Sequence, residues 1–509
     1  MPYFVGVDLG TTSTKAIVCS GSGETKGSDS QEYPLLVPQP GWAEQEPTVI
    51  LQAAIQAVRR AIEQSDVAPS NIVAVGLSAA THSLLALDQQ GNCLTRNIIW
   101  ADNRSLAQAE RLKRNPASYA LYRRTGAPIH PVSPLTKLLW MREKAPDLFQ
   151  RAARFVSFKE YLLYQLFGTF VIDHSIASAG GFLNLDRLQW DAEALEIAGI
   201  QASQLSELVP TTQILRGLKP EYAQAMHLDP ATPFVVGACD GVLANLGVGA
   251  IERGQMAVTI GTSSAVRTVV SQPRTDPQAR TFCYALTEQH WVVGGASNNG
   301  GILLRWLRDN FCQPEVEQAK QAGLDAYQVM LAAADKIAPG AEGLICLPYL
   351  SGERAPHWNG QARGIFFGLG LHHQRSHLIR STLEGILFAV YSIRLALQDL
   401  TGTAQAIRAS GGFACSPIWL QLMADLCGDE VQVPQVTEGS GFGAAVLAMY
   451  ATGAIDRLED VQSLVRIRDR YQPDAAKTKV YHQLYPLFDR LYRDNVAAFE
   501  QLADLDRAS

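Results

Sequence analysis

The chain of 509 residues begins with YFVGVDLGTTSTKAIV (residues 3–18) and repeats the pattern as MAVTIGTSSAVRTVV (residues 256–270). Each stretch has a hydrophobic strand, a Gly-Thr-Thr/Ser turn and a second strand rich in β-branched residues, which predicts a β-hairpin. Backbone N–H groups and hydroxyls gathered in such a turn suit phosphate oxygens, and glycine lets a ligand approach closely. Two such hairpins predict a phosphate chain held from both sides.

Strand-like and helix-like segments alternate after each hairpin, which predicts an α/β protein made of two related halves. The chain also exceeds the length that one hydrophobic core usually supports. In the second half, the spacing predicts a long helix over 376–400, and Ser416-Pro417 predicts a helix start with serine as N-cap. We expect domains at 1–249 and 250–455, and a helical extension at 456–509 packed on the second domain.

Composition excludes several classes of function. The net charge is −6 and no Lys/Arg-rich run occurs, so we expect no nucleic-acid partner and no anionic-membrane partner. The eight cysteines are scattered without a CxxC pair, which is typical of a reducing compartment. No run of 18 apolar residues and no signal peptide are evident, so we expect no membrane span and a cytoplasmic location.

Two aspartates at the ends of predicted strands are candidates for chemistry. Asp8 lies just before the first turn, where its carboxylate could hold Mg²⁺, and Lys15 adds a positive charge nearby. Asp240 ends a buried strand between Gly237 and Gly241. Its position fits either a catalytic carboxylate or a helix N-cap, and the pattern alone does not choose between them.

Several segments of the chain resemble the FGGY family of carbohydrate kinases, in which two actin-like (ribonuclease H-like) ATPase domains close a cleft around ATP and sugar. The resemblance extends from Gly6 to about Gly453. The segments that carry it are GVDLGTTSTKA (6–16), WADNRS (100–105), SPLTKLLWMREK (133–144), GACDG (237–241), IGTSS (260–264), GERAPHW (352–358), GIFFGLGLHHQRSHLIRSTLE (364–384) and SGGFACSPIWLQLMAD (410–425).

The resemblance implies phosphoryl transfer from ATP, with Mg²⁺, to a sugar hydroxyl, with Asp240 as the catalytic base. It implies a sugar site in the first domain formed by Thr81, His82, Trp100, Asp102, Arg104 and Asp240. It implies nucleotide contacts, chiefly in the second domain, from Gly10, Thr11, Thr12, Ser13, Lys15, Gly261, Thr262, Ser263, Gly301, Arg305, Gly411, Gly412 and Ser416, with Asp8 at the metal. A homodimer is also compatible with the family.

Within the family, the segments HSLLALD (82–88), WADNRS and TGAPIHPVSPLTKLLW (125–140) are most similar to the gluconate kinases. They favour D-gluconate, phosphorylated at its C6 hydroxyl, while D-xylulose or another pentulose remains the alternative. Glycerol is disfavoured because Thr81-His82 stands where glycerol kinases have an Arg-Glu pair. A substrate carboxylate would need a cation, for which the candidates are Arg104, His82, His130 and Lys159. We expect Lys159 to lie on a solvated helix face.

Two other classes of protein match the sequence less well than the carbohydrate kinases do. An actin-like or Hsp70-like ATPase that serves as an interaction protein would share the twin hairpins but would lack the GACDG and GERAPHW segments. The stretch GSGFGA (439–444) matches the G-x-G-x-x-A pattern of dinucleotide-binding oxidoreductases. No further βαβ unit follows it, so we expect instead a glycine-rich helix start packed beside the adenine site.

Overall fold

The structure is a computed structural model that describes residues 2–435 and 438–508. It contains two compact units. The first comprises residues 2–253, 269–293 and 438–466, and the second comprises 254–268, 294–435 and 467–508. Each unit therefore combines segments that are separate in the sequence. The division of the sequence into domains at residues 249/250 and 455/456 stays a prediction.

Strands of two to eight residues occur in both units. The strands are β1 (Tyr3–Leu9), β2 (Ser13–Ser20), β3 (Thr25–Glu32), β4 (Glu44–Gln45), β5 (Ile72–Ala79), β6 (Leu85–Leu87), β7 (Asn97–Ile98), β8 (Arg154–Val156), β9 (Val171–Asp173), β10 (Leu183–Asn184), β11 (Gln189–Trp190), β12 (Glu207–Val209), β13 (Ile214–Leu215), β14 (Phe234–Cys239), β15 (Gln255–Ile260), β16 (Ser264–Val270), β17 (Phe282–Thr287), β18 (His290–Ser297), β19 (Ile345–Leu347), β20 (Ile365–Phe367), β21 (Ala406–Ser410), β22 (Glu430–Pro434) and β23 (Ile467–Tyr471).

Helices fill the connections between these strands. The helices are α1 (Pro47–Ser65), α2 (Leu106–Lys113), α3 (Ser118–Thr125), α4 (Pro134–Lys144), α5 (Pro146–Arg151), α6 (Phe158–Phe167), α7 (His174–Gly180), α8 (Ala192–Ala198), α9 (Pro220–Met226), α10 (Asp240–Gly247), α11 (Gly301–Phe311), α12 (Gln313–Ala322), α13 (Ala326–Asp335), α14 (Arg375–Thr401), α15 (Pro417–Cys427), α16 (Gly439–Ala451), α17 (Val461–Leu464), α18 (Ala475–Asp494) and α19 (Val496–Ala508). Among the described residues, no helix is long and apolar enough to cross a membrane.

The first unit is built on a six-stranded sheet in the order β13-β14-β5-β1-β2-β3. Strands β1 and β2 form the predicted antiparallel hairpin, with Leu9 opposite Thr14. Strand β1 runs parallel to β5, and β5 runs parallel to β14. Because parallel strands end at the same edge of a sheet, the residues that follow β1, β5 and β14 come together there. Those residues include Gly10, Thr81 and Asp240.

The second unit repeats this arrangement. Five of its strands run in the order β16-β15-β21-β22-β23. Strands β15 and β16 form the second predicted hairpin, with Ile260 opposite Ser264. Strand β15 is parallel to β21, which is parallel to β22. The series β16-β15-β21-β22 therefore has the same pairing as β2-β1-β5-β14, and the internal duplication predicted from the hairpins is confirmed.

Helix α16 contains the GSGFGA stretch and packs against β1, β5, β14 and α10 of the first unit. The contact is close because glycines face the helix. A Cβ on Gly6 would lie 1.9 Å from the Gly441 carbonyl oxygen, and one on Gly76 would lie 2.1 Å from that of Ala444. The stretch is a glycine-rich helix start, as expected, and its predicted place beside an adenine site stays a prediction. Its glycines serve the contact between backbones.

The second unit contains the longest helix in the described part of the chain. Helix α14 has 27 residues, as the periodicity of 376–400 predicted, and Gly402 follows its last turn. Helix α18, near the C-terminus, packs against α15 and β19. The carboxylate of Asp425 accepts the Asp474 N–H at 2.9 Å, and the Asp425 carbonyl accepts the Thr478 hydroxyl at 2.7 Å. These bonds fix the start of α18 to α15.

We predict that Gly6→Ala lowers the free energy of unfolding by about 1–3 kcal/mol, because the added methyl group forces α16 away from β1. Urea denaturation followed by circular dichroism measures this. The matched control is Gly21→Ala, whose Cβ would lie 3.4 Å from Pro2 Cγ and should change stability by less than about 0.5 kcal/mol. Equal stability of Gly6→Ala and the wild type would contradict the packing argument.

Candidate functional site

The turn of the first hairpin is fastened by groups from outside it. The Gly10 N–H donates to the Ser13 carbonyl at 3.1 Å, which closes the turn. The Tyr33 hydroxyl donates to the Gly10 carbonyl at 2.5 Å, and Gln45 Nε2 donates to the Thr11 carbonyl at 2.5 Å. With its carbonyls held in this way, the turn has a fixed shape. Thr12, next in the turn, is exposed.

Asp8 and Asp240 bring two carboxylates to the edge where β1 and β14 end. Asp8 Oδ1 accepts the Ser78 hydroxyl at 2.7 Å. Burial and the Asp240 charge raise the pKa of Asp8 to about 7, although the Ser78 bond and the Lys15 charge oppose this. Lys15 itself forms an ion pair of 3.0 Å with Glu438. Two carboxylates close enough for the charge of Asp240 to raise the pKa of Asp8 suit a divalent cation, which relieves their repulsion.

Asp240 is the first residue of α10 and is half-buried. The residue in the N-cap position is Cys239, so the N-cap alternative for Asp240 was wrong by one position. Asp240 Oδ1 accepts the N–H of Gly241 at 2.6 Å. Just before it, Gly237 has φ +78°, and a Cβ there would lie 1.7 Å from the Leu77 carbonyl oxygen. Glycine is therefore required for β14 to approach β5 at this point.

Thr81, His82 and Trp100 lie close to this edge, as the sequence predicted. His82 has φ +65°, and its ring meets the Tyr284 ring edge-on with 6.3 Å between centroids. The Trp100 indole N–H donates to the Thr11 hydroxyl at 2.8 Å. Thr11, Thr81 and Trp100 also line a small cavity of about 20 Å³. The structure therefore places the predicted sugar residues next to the first turn.

Asp102 and Arg104 form a buried ion pair instead of two separate binding groups. Arg104 donates to both oxygens of Asp102 at 2.8 Å and to Glu44 at 2.6 Å. Its guanidinium lies over the Trp42 ring at 3.7 Å and is also close to Trp140. Because two carboxylates already bind the guanidinium, Arg104 holds the segment after Trp100 in place. The predicted sugar contacts of Asp102 and Arg104 remain untested.

The environment of Lys159 differs from the one predicted from the sequence. Its side chain is 1% exposed, and Nζ lies 2.5 Å from Asp173 Oδ2. Nζ also donates to the Ala238 carbonyl at 3.4 Å, two residues before Asp240. The expectation of a solvated helix face was wrong, because α6 is buried over most of its surface. The buried Asp173 neutralises the lysine there.

Lys137 is a residue near the site that the sequence analysis did not select. It is buried on α4, and Nζ donates to the carbonyls of His82 at 2.6 Å and Ile99 at 2.8 Å. Burial lowers the pKa of Lys137 to about 7, against the opposing charge of Asp102. The lysine thus joins the two segments that contain His82 and Trp100. Its position among apolar residues in SPLTKLLW was the signal that could have identified it.

In the second unit, the turn of the second hairpin is joined to the start of α11. Gly261 N–H donates to the Ser263 carbonyl at 2.9 Å and closes the turn. The Gly301 N–H donates to the Gly261 carbonyl at 2.7 Å, and the Ile302 N–H donates to the Thr262 carbonyl at 3.2 Å. The structure therefore brings Gly261, Thr262, Ser263 and Gly301 together, as the sequence predicted.

A cavity of about 680 Å³ adjoins this turn. Six of the predicted nucleotide residues line it, whereas Ser263 and Gly411 lie outside the described lining. The sequence analysis missed the contribution of α13. The full lining is Ile260, Gly261, Thr262, Gly301, Ile302, Leu304, Arg305, Asp325, Tyr327, Gln328, Leu331, Gly412, Phe413, Cys415, Ser416, Pro417, Ile418 and Trp419. Nothing in the amphipathic pattern of α13 separates cavity residues from packing residues.

The start of α15 forms one wall of this cavity. Ser416 is the N-cap of the helix and Pro417 its first residue, as predicted, and Ser416 Oγ accepts the Trp419 N–H at 3.3 Å. Apolar side chains such as Tyr327 and Phe413 contribute to the remaining walls. A cavity of this size, largely apolar with a polar turn at one side, is typical of sites for nucleotides and other small molecules.

Comparisons with known proteins cover the whole chain. The model of the N-terminal domain of the FGGY family of carbohydrate kinases matches residues 3–247, and that of the C-terminal domain matches 256–452. The gluconokinase of Bacillus subtilis (strain 168) is 46% identical over 99% of this chain and 98% of its own. Two solved structures from Lactobacillus acidophilus each have 34% identity and a TM-score of 0.92. One is a gluconate kinase, and the match covers 98% of this chain and 99% of that chain. The other is a ligand-bound xylulose kinase, and the match covers 99% of this chain and 100% of that chain.

We predict that ATP protects Cys415 from alkylation, because this exposed thiol lines the cavity of the second unit. At about ten times the dissociation constant of ATP, modification by N-ethylmaleimide should slow about tenfold, since only the free protein reacts. Mass spectrometry of the modified peptides measures the rate. Cys93, an exposed thiol of the first unit, is the internal control. Modification of Cys415 at the same rate with and without ATP would rule out a nucleotide in this cavity.

Proposed function

Because this chain belongs to the FGGY family of carbohydrate kinases, we propose that it transfers the γ-phosphate of ATP to the C6 hydroxyl of D-gluconate, forming 6-phosphogluconate. The observation that supports D-gluconate as the substrate is the full-length identity of 46% with a gluconokinase, which exceeds the 34% identity with the xylulose kinase structure. The matched region spans 99% of the chain, so it covers the segments proposed for substrate and for nucleotide.

The cavity of the second unit is the proposed site of the nucleoside. The N-terminus of α15, capped by Ser416, lies at its wall, and Gly412 leaves the backbone uncovered on that side, since no atom lies within 4 Å of a Cβ built there. The turn Gly261–Ser263 and the exposed Arg305 provide N–H groups and positive charge for phosphate oxygens. In the first unit, Thr11, Thr12 and Ser13 are the proposed phosphate contacts.

Asp240 is the proposed catalytic base. An aliphatic alcohol is too weak an acid for a carboxylate to deprotonate in advance. The carboxylate therefore accepts the hydroxyl proton as the bond from the sugar oxygen to phosphorus forms, and placement matters more than basicity. The Gly241 N–H holds Asp240 Oδ1 at 2.6 Å. This bond keeps the carboxylate oriented at the end of β14.

Asp8 is the proposed carboxylate for Mg²⁺. Its pKa is raised by burial and by Asp240, so a dication at this edge would stabilise the charged forms of both groups. Bound there, directly or through water, Mg²⁺ would supply charge neutralisation for the phosphates. Lys15 contributes positive charge at the same edge, although its ammonium group pairs with Glu438.

The carboxylate of gluconate requires a positive or hydrogen-bonding partner. Arg104 pairs with Asp102 and Glu44, and Lys159 pairs with Asp173. Of the two histidines, His130 is buried and its Nδ1 accepts the Val132 N–H at 3.3 Å. We therefore place the interaction at His82, which follows β5 and whose carbonyl accepts a hydrogen bond from Lys137. Trp100 offers a ring face to the carbon chain of the sugar acid.

We also propose that the protein is cytoplasmic and forms a homodimer.

D-Xylulose is the second candidate, because a xylulose kinase structure has the same TM-score as the gluconate kinase structure. A coupled ADP-release assay separates the two with D-gluconate, D-xylulose, D-ribulose, L-ribulose and glycerol, and without acceptor. We expect D-gluconate to give a kcat/KM at least about 100-fold above the others, as a site built for a carboxylate rejects analogues lacking it. A preference for D-xylulose would overturn the gluconate assignment and leave the kinase assignment intact.

We predict that Asp240→Asn lowers kcat for the preferred sugar by about 100- to 10,000-fold, because the amide cannot accept the hydroxyl proton. The amide oxygen can still accept the Gly241 N–H, so the turn should remain folded. Protection of Cys415 by ATP should be retained, and this is the control for nucleotide binding. A kcat within about threefold of the wild type would remove Asp240 from the catalytic role.

A further inference from the structure

Thr11 has both of its oxygens engaged by residues from outside the hairpin. Its hydroxyl oxygen accepts the Trp100 indole N–H at 2.8 Å, and its carbonyl oxygen accepts Gln45 Nε2 at 2.5 Å. Gln45 Oε1 in turn accepts Asn97 Nδ2 at 3.1 Å. Two separate lines of hydrogen bonds thus connect Thr11 to the segment that contains Asn97 and Trp100.

This segment is itself rigidly held. Strand β7 pairs with β4, with Asn97 opposite Gln45. Beyond Trp100, the buried ion pair of Arg104 with Asp102 and Glu44 fixes the chain. Lys137 binds the Ile99 carbonyl, immediately before Trp100. Because the segment around Trp100 is held at several points, it has little freedom to move, and the position of Trp100 fixes the position of Thr11.

The direction of the Trp100 bond determines what Thr11 can do. An indole N–H donates and never accepts, whereas a hydroxyl has one hydrogen and two lone pairs. Because Thr11 Oγ1 accepts from Trp100, its own hydrogen must point to a different acceptor. The indole also polarises the hydroxyl and makes it a better donor. Trp100 therefore sets the Thr11 hydroxyl as a donor at the phosphate turn.

We propose that Trp100 is a positioning residue for phosphoryl transfer: its indole N–H orients the Thr11 hydroxyl as a donor to a phosphate oxygen and couples the sugar segment to the first hairpin turn. The proposal rests on the kinase function above. It adds that one side chain acts on both substrates, through its ring face on the sugar and through its N–H on Thr11. Gln45 and Asn97 fix the Thr11 carbonyl and support the same coupling.

The variant that isolates this bond is Trp100→Phe, which keeps an aromatic face and removes the N–H. We expect kcat to fall by about 100- to 1,000-fold, the scale of losing one oriented donor, while the KM for the sugar changes less than about threefold. Thr11→Val should give a loss of similar size. In the Thr11→Val background, Trp100→Phe should have almost no further effect, because the two groups act through one bond.

The control is Trp190→Phe on β11, a tryptophan that packs with the hydrophobic core of the first unit. Its kcat should match that of the wild type, so the loss in Trp100→Phe would not come from general loosening. If Trp100→Phe raises only the sugar KM, or if the losses from Trp100→Phe and Thr11→Val multiply, the proposed coupling is wrong and Trp100 serves the sugar alone.

A second readout does not require turnover. The chain has eight tryptophans, so ¹⁵N labelling gives eight indole N–H resonances, and Trp100→Phe identifies one of them. Addition of Mg-ATP without sugar should shift the Trp100 resonance in the wild type and leave it unmoved in Thr11→Val. An unmoved resonance in the wild type would overturn the coupling. Absence of phosphate transfer to every acceptor, with this shift present, would instead overturn the proposed kinase reaction.

Discussion

The parallel pairing of β1, β5 and β14 is the constraint on which the site of the first unit depends. It brings Asp8, Thr81 and Asp240 to one edge, although more than 200 residues separate the first from the last. The pairing is tight because Gly237 lets β14 approach β5, and because Gly6 and Gly76 let α16 lie directly on β1 and β5. A side chain at Gly237 would push β14 away from β5, and one at Gly6 or Gly76 would push α16 away from the sheet.

Buried ion pairs support the residues at this edge of the sheet. Lys159 pairs with Asp173 and contacts the end of β14, and the Arg104 guanidinium lies over the rings of Trp42 and Trp140 and pairs with two carboxylates. A buried pair contributes little net stability, but removal of one partner costs about 3–5 kcal/mol, because the other charge remains without compensation. These pairs therefore act as rigid supports, since they restrict where the segment around Trp100 and the end of β14 can lie. Lys137 has a related role, with backbone carbonyls as its partners in place of carboxylates.

The two hairpins show how one local structure is adapted to two surroundings. The first turn is held by side chains, through Tyr33, Gln45 and Trp100. The second turn is held by backbone N–H groups from the start of α11, where glycines at 300 and 301 allow the close approach. In consequence, side chains from other segments fix the shape of the first turn, whereas a helix start fixes the second turn beside its cavity.

The amino-acid sequence was sufficient to predict the two hairpins, the α/β class, the duplication, the long helix α14 and the capped start of α15. These follow from local patterns: alternating apolar residues, Gly-Thr turns, helical periodicity and Ser-Pro at a helix start. The folded structure was needed to reveal the burial of Lys159, the carbonyl partners of Lys137, the contribution of α13 to the cavity and the packing of α16 on the first sheet. Each depends on residues far apart in the chain, and a charged residue or a glycine looks the same in a sequence whether it faces water or a buried partner. The physical reason is that burial and pairing are properties of the packed neighbours, which no local window of the sequence contains.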